Sequence, residues 1–318
     1  MRWSERIGRR IKLSDLHILL EVAQCGTMAK ASEVLAVSQP VVSRAIGQLE
    51  HTLGVRLLER NPHGIELTAY GRALISRSRS AFDELRQGVK DIEFLADPTQ
   101  GEVRIGSTAP LAASFVSAVI DRLSRRTPGV SFQVEIGHSE AVRRKLLDRE
   151  LDLLVVRQFG DWEDERLAFE VLYDNTYVVA ASAKSAWARR RKIDFRDLAA
   201  EDWALPPRHS DVGRIIEKAF RASGVAYPRP GVVAFAHELR INLVATGRYL
   251  TVLPESLLTL PGKHPLISRL PVALPIASGP IGILTLTTRE ASPVAQLFAS
   301  SAREVARSLM DKRRRSQT

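Results

Sequence analysis

The sequence predicts a multidomain α+β chain: a small helical domain ending in a hairpin, one long helix, and a pair of α/β lobes. Three observations carry that class. Apolar side chains recur at helical spacing from residue 13 to residue 95, and short β-branched runs alternate with helical ones beyond residue 101. Between the two regimes, Asp97-Pro98-Thr99-Gln100-Gly101 interrupts the chain. With 318 residues, 45% of them apolar, the chain can bury more than one core.

The first helix, "LSDLHILLEVAQC" at residues 13–25, aligns Leu13, Leu16, Leu19, Leu20 and Ala23, with Ser14 as its expected cap. Gly26 can take the positive φ that ends it. Thr27 then caps a second helix reaching about Leu35, with Ala31, Val34 and Leu35 turned inward. Ser38, with Pro40 close behind, marks the start of a third helix that runs to Leu53 and stops at Gly54. Val41, Val42, Ala45, Ile46, Leu49 and Leu53 form its packing stripe. "VRLLERNPHGIELT" gives two extended runs joined by Asn61-Pro62-His63-Gly64, whose proline and glycine favour a turn. Three helices and a hairpin make a winged helix-turn-helix, assigned to residues 1–67.

From Thr68 a helix runs to about Leu95, within a linker assigned to residues 68–96. Ile75, Ser78, Phe82, Leu85, Val89 and Ile92 are spaced alternately by three and four, the seam by which a long helix pairs with a partner. The spacing predicts a homodimer, the alternative being that the seam packs on the chain's own C-terminal domain. Residues 97–101 are read as a hinge, 102–311 as two α/β lobes and 312–318 as a basic tail. Strands are expected at "EVRIGS", "VSFQVEIG", "LDLLVVR", "TYVVAAS", "GVVAFA", "YLTVLP" and "IGILTLTT". Helices are expected at about 110–126, 139–149, 212–223, 237–246 and 293–310. This alternation implies parallel sheets with helices on both faces.

Composition narrows the partners. The chain holds 46 Lys and Arg against 36 Asp and Glu, a net +10 that suits polyanions. That excess points away from the helical domain: residues 1–100 carry only +2, and the basic runs Arg189–Lys192 and Lys312–Arg315 lie further on. Cys25 is the sole cysteine, which excludes an intrachain disulfide and a multi-cysteine metal site and fits a reducing cytoplasm. No segment approaches the roughly 18 to 20 unbroken apolar residues of a membrane span, so no membrane partner is expected.

Most telling is "VLAVSQPVVSRAIGQLEHTLGVRLLER", residues 34–60. A helix N-terminus can meet a phosphate, and its next exposed turns can enter the major groove. Gln39 can make a two-point contact with adenine, Arg44 can do so with guanine or grip a phosphate, and Ser43 can bond to either. Ser38, Gln39, Pro40, Val41, Ser43, Arg44 and Gln48 are therefore the candidate DNA-contact residues, with Val42, Ala45, Ile46 and Leu49 holding the helix from behind.

The run Ala31, Leu35, Ser38-Gln39-Pro40, Val42-Ser43, Ile46, Leu49-Glu50, Leu53-Gly54, Leu57, Arg60, Leu67-Thr68 and Gly71 resembles the DNA-binding domain of the LysR-type transcriptional regulators. Leu58 stands where that family commonly has Phe, and Ser32 where it has a second Ala; both are expected to affect packing alone. The resemblance implies that Arg60, on the wing, approaches the minor groove or the backbone, and that the long helix makes the dimer. It also implies a homotetramer, double-stranded operator or promoter DNA as partner, and RNA polymerase as a further partner where the regulator activates. The tract before Lys12 is longer than usual, and "RIGRR" is read as disordered or as an added backbone contact.

The C-terminal lobes resemble that family's effector-binding domain, itself similar to periplasmic solute-binding proteins. In open α/β sheets, ligands sit beyond the carboxyl ends of strands. That rule selects Ser107 and Thr108 after the first strand, His138 and Ser139 after the second, Arg157 after the third, and His209 with Ser210 at a helix start in the other lobe. An arginine ending a buried strand needs an anion nearby, either an internal carboxylate or a ligand's. The expected effector is a small anionic or polar metabolite that modulates DNA binding or transcription activation. No enzyme is expected, since no nucleophile elbow, phosphate loop or dinucleotide fingerprint is present. His237-Glu238 begins like a zinc helix, but Ile241 takes the second histidine's place, so no metal or cofactor is expected.

Overall fold

A computed structural model describes residues 10–61, 64–159, 163–260, 264–272, 274 and 279–317, so the "RIGRR" tract, apart from Arg10, lies outside the described residues. The chain divides into two compact units, Met1–Val89 and Lys90–Thr318.

In the first unit, α1 (Leu13–Cys25), α2 (Met28–Val34) and α3 (Gln39–Leu53) end or begin where the local chemistry permits. Gly26 and Gly54 adopt φ of 71° and 72°, closing α1 and α3 in the left-handed conformation that glycine tolerates. Thr27 Oγ1 accepts from Lys30 N, as expected. Ser14 does not cap: Lys12 holds the N-cap position of α1, leaving the Ser14 hydroxyl beside Asp15. The inward stripe of α2 also differs. Met28 and Ala31 are buried while Val34 is 65% exposed, because the stripe continues four residues on, at the partly buried Leu35.

The wing is an antiparallel pair, β1 (Leu58–Asn61) with β2 (Gly64–Leu67), in which Arg60 faces Ile65. Pro62 and His63 of the expected turn lie outside the described residues. Glu50 ties α3 to the wing, its Oε1 accepting from Leu57 N (2.7 Å) and Leu58 N (3.2 Å). The long helix α4 (Ala69–Ala96) starts against the same strand entry. A Cβ on Gly71 would lie 2.1 Å from the Leu57 carbonyl oxygen, so only glycine fits that crossing. Leu19, Val22, Ala31, Val42, Ile46 and Leu49 are central to one core, which also buries Leu58.

In the second unit the first lobe opens with β3 (Gln100–Ser107) and α5 (Ala109–Leu111), a π-helical turn at Ala112–Val116, and α6 (Ser117–Arg126). Then come β4 (Gly129–Ile136), α7 (Ser139–Leu147), β5 (Leu153–Arg157) and β6 (Leu167–Asp174). The second lobe holds β7 (Tyr177–Ser182), β8 (Ala204–Leu205), α8 (Asp211–Ala222), β9 (Val232–Val233), α9 (His237–Ala245), β10 (Thr251–Pro254), α10 (Ser256–Thr259) and β11 (Ile267–Arg269). The chain then returns to the first lobe as β12 (Pro280–Leu286) and α11 (Pro293–Gln317).

The sheets are mixed, which corrects the expectation of parallel ones. In the five-stranded order β4-β3-β5-β12-β6, β3 runs parallel to β4 and β5, but β12 is antiparallel to both β5 and β6. The cause is topological: β6 carries the chain out to the second lobe and β12 brings it back, so these two strands run in opposite directions. In the second lobe β7 lies between antiparallel β10 and β11, and β8 pairs in parallel with β9. The strands β6, β8 and β11 were not expected. The last helix also passes its expected end near residue 310, running through the basic stretch to Gln317, since no Pro or Gly follows Met310 to stop it.

Candidate DNA-contact face and ligand cleft

Pro40 pre-sets the first turn of α3, and its 3.6-residue repeat then sorts the helix into two faces. Val42, Ala45, Ile46 and Leu49 are buried, whereas Ser38, Gln39, Pro40, Val41, Ser43, Arg44 and Gln48 are all exposed. Val41, expected in the packing stripe, is 41% exposed and stands on the outer face. Ser38 occupies the N-cap position, yet its side chain makes no cap bond; its carbonyl accepts from Val41 N (2.9 Å). Gln48 Nε2 donates to Thr52 Oγ1 (3.3 Å). Arg44 makes no ion pair among the described residues, and Arg60 lies in β1 with its side chain outside the described residues. One helix face thus presents amide, hydroxyl and guanidinium groups that can read base edges and phosphates.

On α4, Ile75 and Ser78 are buried and Phe82 packs its ring 5.8 Å from that of His17. Further along, Leu85, Val89 and Ile92 are 52%, 55% and 68% exposed, so the later half of the seam is open on this chain.

In the second unit a cavity of about 860 Å³ lies where strand ends of the two lobes face each other. Of the residues expected there, Thr108, His138, Ser139, Arg157, His209 and Ser210 line it. Ser107 does not. It is fully buried and its Oγ donates to Val155 O (2.7 Å), because its place at the end of β3 points the side chain toward the neighbouring strand β5. Neither Thr108 nor His138 caps the helix it precedes, and Ser139 is the first residue of α7. Ser210 is a working cap: it accepts from Gly213 N (3.0 Å) and donates to Pro207 O (2.6 Å).

Charge is concentrated on the cavity wall. Arg157, 4% exposed at the end of β5, donates from Nη1 to Gly279 O (2.8 Å) and lies 4.8 Å over the ring of Tyr177. Burial lowers its pKa from the usual guanidinium value, against the opposing influence of Tyr177. Arg240, which sequence reasoning missed, also lines the cavity at 4% exposure. Desolvation brings its pKa down to about 10, so it remains a cation at neutral pH. A signal for it exists: His237, Arg240 and Val244 share one stripe of α9, which places an arginine among buried residues. His237, beside Glu238 (3.1 Å), has its pKa lowered by burial and favours the neutral form. At the rim, Phe235 meets His138 and His209 edge-on, with centroids 5.1 and 5.9 Å away.

Among the described residues no cluster of His, Cys, Asp and Glu could hold a metal ion, and no helix is long and apolar enough to cross a membrane. The family pattern described as "Bacterial regulatory helix-turn-helix protein, lysR family" matches residues 13–72, and "LysR substrate binding domain" matches residues 96–307. The chain is 25% identical over 307 residues to the HTH-type transcriptional regulator PcaQ of Agrobacterium fabrum, covering 96% of this chain and 99% of that protein. It is 35% identical over 154 residues to the SDS degradation transcriptional activation protein of a Pseudomonas species, covering 47% of this chain and 49% of that one. Full-length OxyR from Pseudomonas aeruginosa shares the fold at TM-score 0.66 and 21% identity, over 92% of this chain and 98% of that one. Full-length CbnR, complexed with its target DNA, does so at 0.54 and 21%, over 93% and 99%.

Proposed function

The chain belongs to the LysR family of DNA-binding transcriptional regulators, with an effector-binding domain, and from that premise we propose how its own residues divide the work. The exposed face of α3 reads operator DNA. Gln39, Ser43 and Arg44 contact base edges, Ser38 and the first turn engage phosphate, and Arg60 contributes from the wing. The observation that carries this reading is the sorting of α3, on which every polar candidate is exposed while Val42, Ala45, Ile46 and Leu49 anchor the helix. The open seam at Leu85, Val89 and Ile92 supports pairing with a second copy, which would present two recognition helices to paired half-sites. A tetramer would be a pair of such dimers. Such a regulator works in the cytoplasm beside its DNA, with RNA polymerase as a further partner where it activates.

The cleft takes a small anionic or polar metabolite, and ligand binding alters the relation of the two lobes and so the assembly on DNA. A coupling of about 1–3 kcal/mol is typical of such switches. A gel-shift titration on the protein's own upstream region tests the DNA reading. Specific binding should survive competitor DNA and weaken with log salt at a slope of roughly −0.9 per phosphate neutralised. Loss of all binding to competitor at modest ionic strength would overturn it.

A further inference from the structure

The helix α9 reads "HELRINLVA", and its buried stripe contains an arginine where an apolar residue would ordinarily stand. Arg240 Nη1 donates to Thr251 Oγ1 (3.2 Å) and to Val252 O (3.1 Å), both neutral acceptors. Its Nε is buried without a hydrogen-bond partner, and the side chain makes no ion pair among the described residues. A buried cation that lacks a carboxylate costs several kcal/mol of desolvation, which apolar packing would avoid. Arg157 reaches the same cavity from the other lobe. Of the acidic lining residues, Asp211 pairs with Arg214, while Glu238, beside His237, acts on Arg240 through space and makes no ion pair with it among the described residues. The same cavity wall also carries the apolar side chains of Leu111, Ile136, Phe159, Val212 and Val252.

Resting on the reading of this cavity as the effector site, we propose that its ligand is a small carboxylic acid with a compact apolar body. The carboxylate is held between Arg157 of the first lobe and Arg240 of the second. Two planar guanidinium forks satisfy the in-plane lone pairs of a carboxylate, whereas a phosphate would leave oxygens against hydrocarbon. The body of the acid lies on the apolar wall, with Thr108 and Ser139 available to its distal polar groups. Because the two arginines belong to different lobes, a bound carboxylate ties the lobes together, and Arg240 selects for negative charge.

Calorimetric titration and thermal-shift measurement of the full-length protein test this with benzoate and hexanoate, which separate planar from flexible bodies. Benzyl alcohol serves as the neutral probe and inorganic phosphate as the anion without an apolar body. At least one carboxylate should bind and raise Tm, while benzyl alcohol and phosphate should not. In Arg240→Met that carboxylate should bind roughly 10- to 150-fold more weakly, the range expected for losing a charge-assisted hydrogen bond. The ligand-free Tm of the variant should not fall below that of wild type. Arg240→Gln, which keeps a donor for Val252 O, gives the same comparison should the methionine variant fold poorly. Binding of benzyl alcohol or phosphate as strong as that of the acids, undiminished carboxylate binding in both variants, or no response to either acid would overturn the proposal. Wild-type protein that shifts operator DNA yet ignores both acids would sink this inference alone, whereas protein that fails on the operator would sink the regulator reading.

Discussion

Asp152 is the carboxylate on which the first lobe converges three cations, and its replacement by asparagine should be costly. Its Oδ1 accepts from Arg104 Nη2 (2.8 Å) and Arg289 Nη2 (2.7 Å), its Oδ2 accepts from Arg104 N (2.8 Å), and Lys90 Nζ of α4 lies 3.5 Å from Oδ2. Burial pushes the pKa of Asp152 up, but the hydrogen bonds and charge of Arg104, with the charge of Lys90, outweigh it and hold the group at about 2, against an ordinary 3.8. That depression corresponds to about 2.5 kcal/mol of stability. Because the folded value lies below the unfolded one, this contribution is fully present above about pH 4 and is lost as the pH falls toward 2. Asp152→Asn also strands buried cations, and breaking a buried pair in this way costs about 3–5 kcal/mol. A loss between about 2.5 and 5 kcal/mol is therefore expected. Urea unfolding followed by tryptophan fluorescence measures it, since Trp187 and Trp203 belong to the second unit. A loss below about 1 kcal/mol, the scale of an exposed pair, would refute the reasoning.

Further outcomes concern each part of the chain. Gln39→Ala or Arg44→Ala should weaken specific operator binding by about 1–3 kcal/mol in a gel shift and relax base preference; unchanged specificity would remove α3 from the groove. Leu85→Glu combined with Val89→Glu should lower the solution mass to that of a monomer in sedimentation equilibrium, and an unaltered mass would mean that α4 is not the pairing surface. Ser107→Ala should cost about 1 kcal/mol in chemical denaturation through the lost Val155 hydrogen bond. Because Ser107 is absent from the cavity wall, a stability-neutral variant that lost ligand affinity would contradict its structural role. Gly71→Ala should destabilise the winged domain by 2 kcal/mol or more on the scale of about 1–3 kcal/mol for overpacking, measured as a fall in Tm.

The winged domain was the most legible part of the chain because its determinants are local. Gly26, Thr27, Pro40 and Gly54 act on their own turns, and the inward and outward faces of α3 follow from a repeat of 3.6 residues. Where that reading missed, at Ser14, Val34 and Val41, the error was one of boundary or phase near a helix end. The strand ends of the second unit were also legible, and with them six of the seven residues expected at the cleft.

What sequence alone determined is therefore what neighbouring residues decide: the ends of α2 and α3, the exposed side of α3, and the strand-end positions around the cavity. Tertiary structure decided the rest. Whether β12 returns antiparallel to β5, whether Ser107 turns to Val155 or to the cavity, and whether Arg240 joins Arg157 all depend on contacts between residues far apart in the chain. Local periodicity can place an arginine on a buried stripe, but only the packed lobes determine which charge stands opposite it.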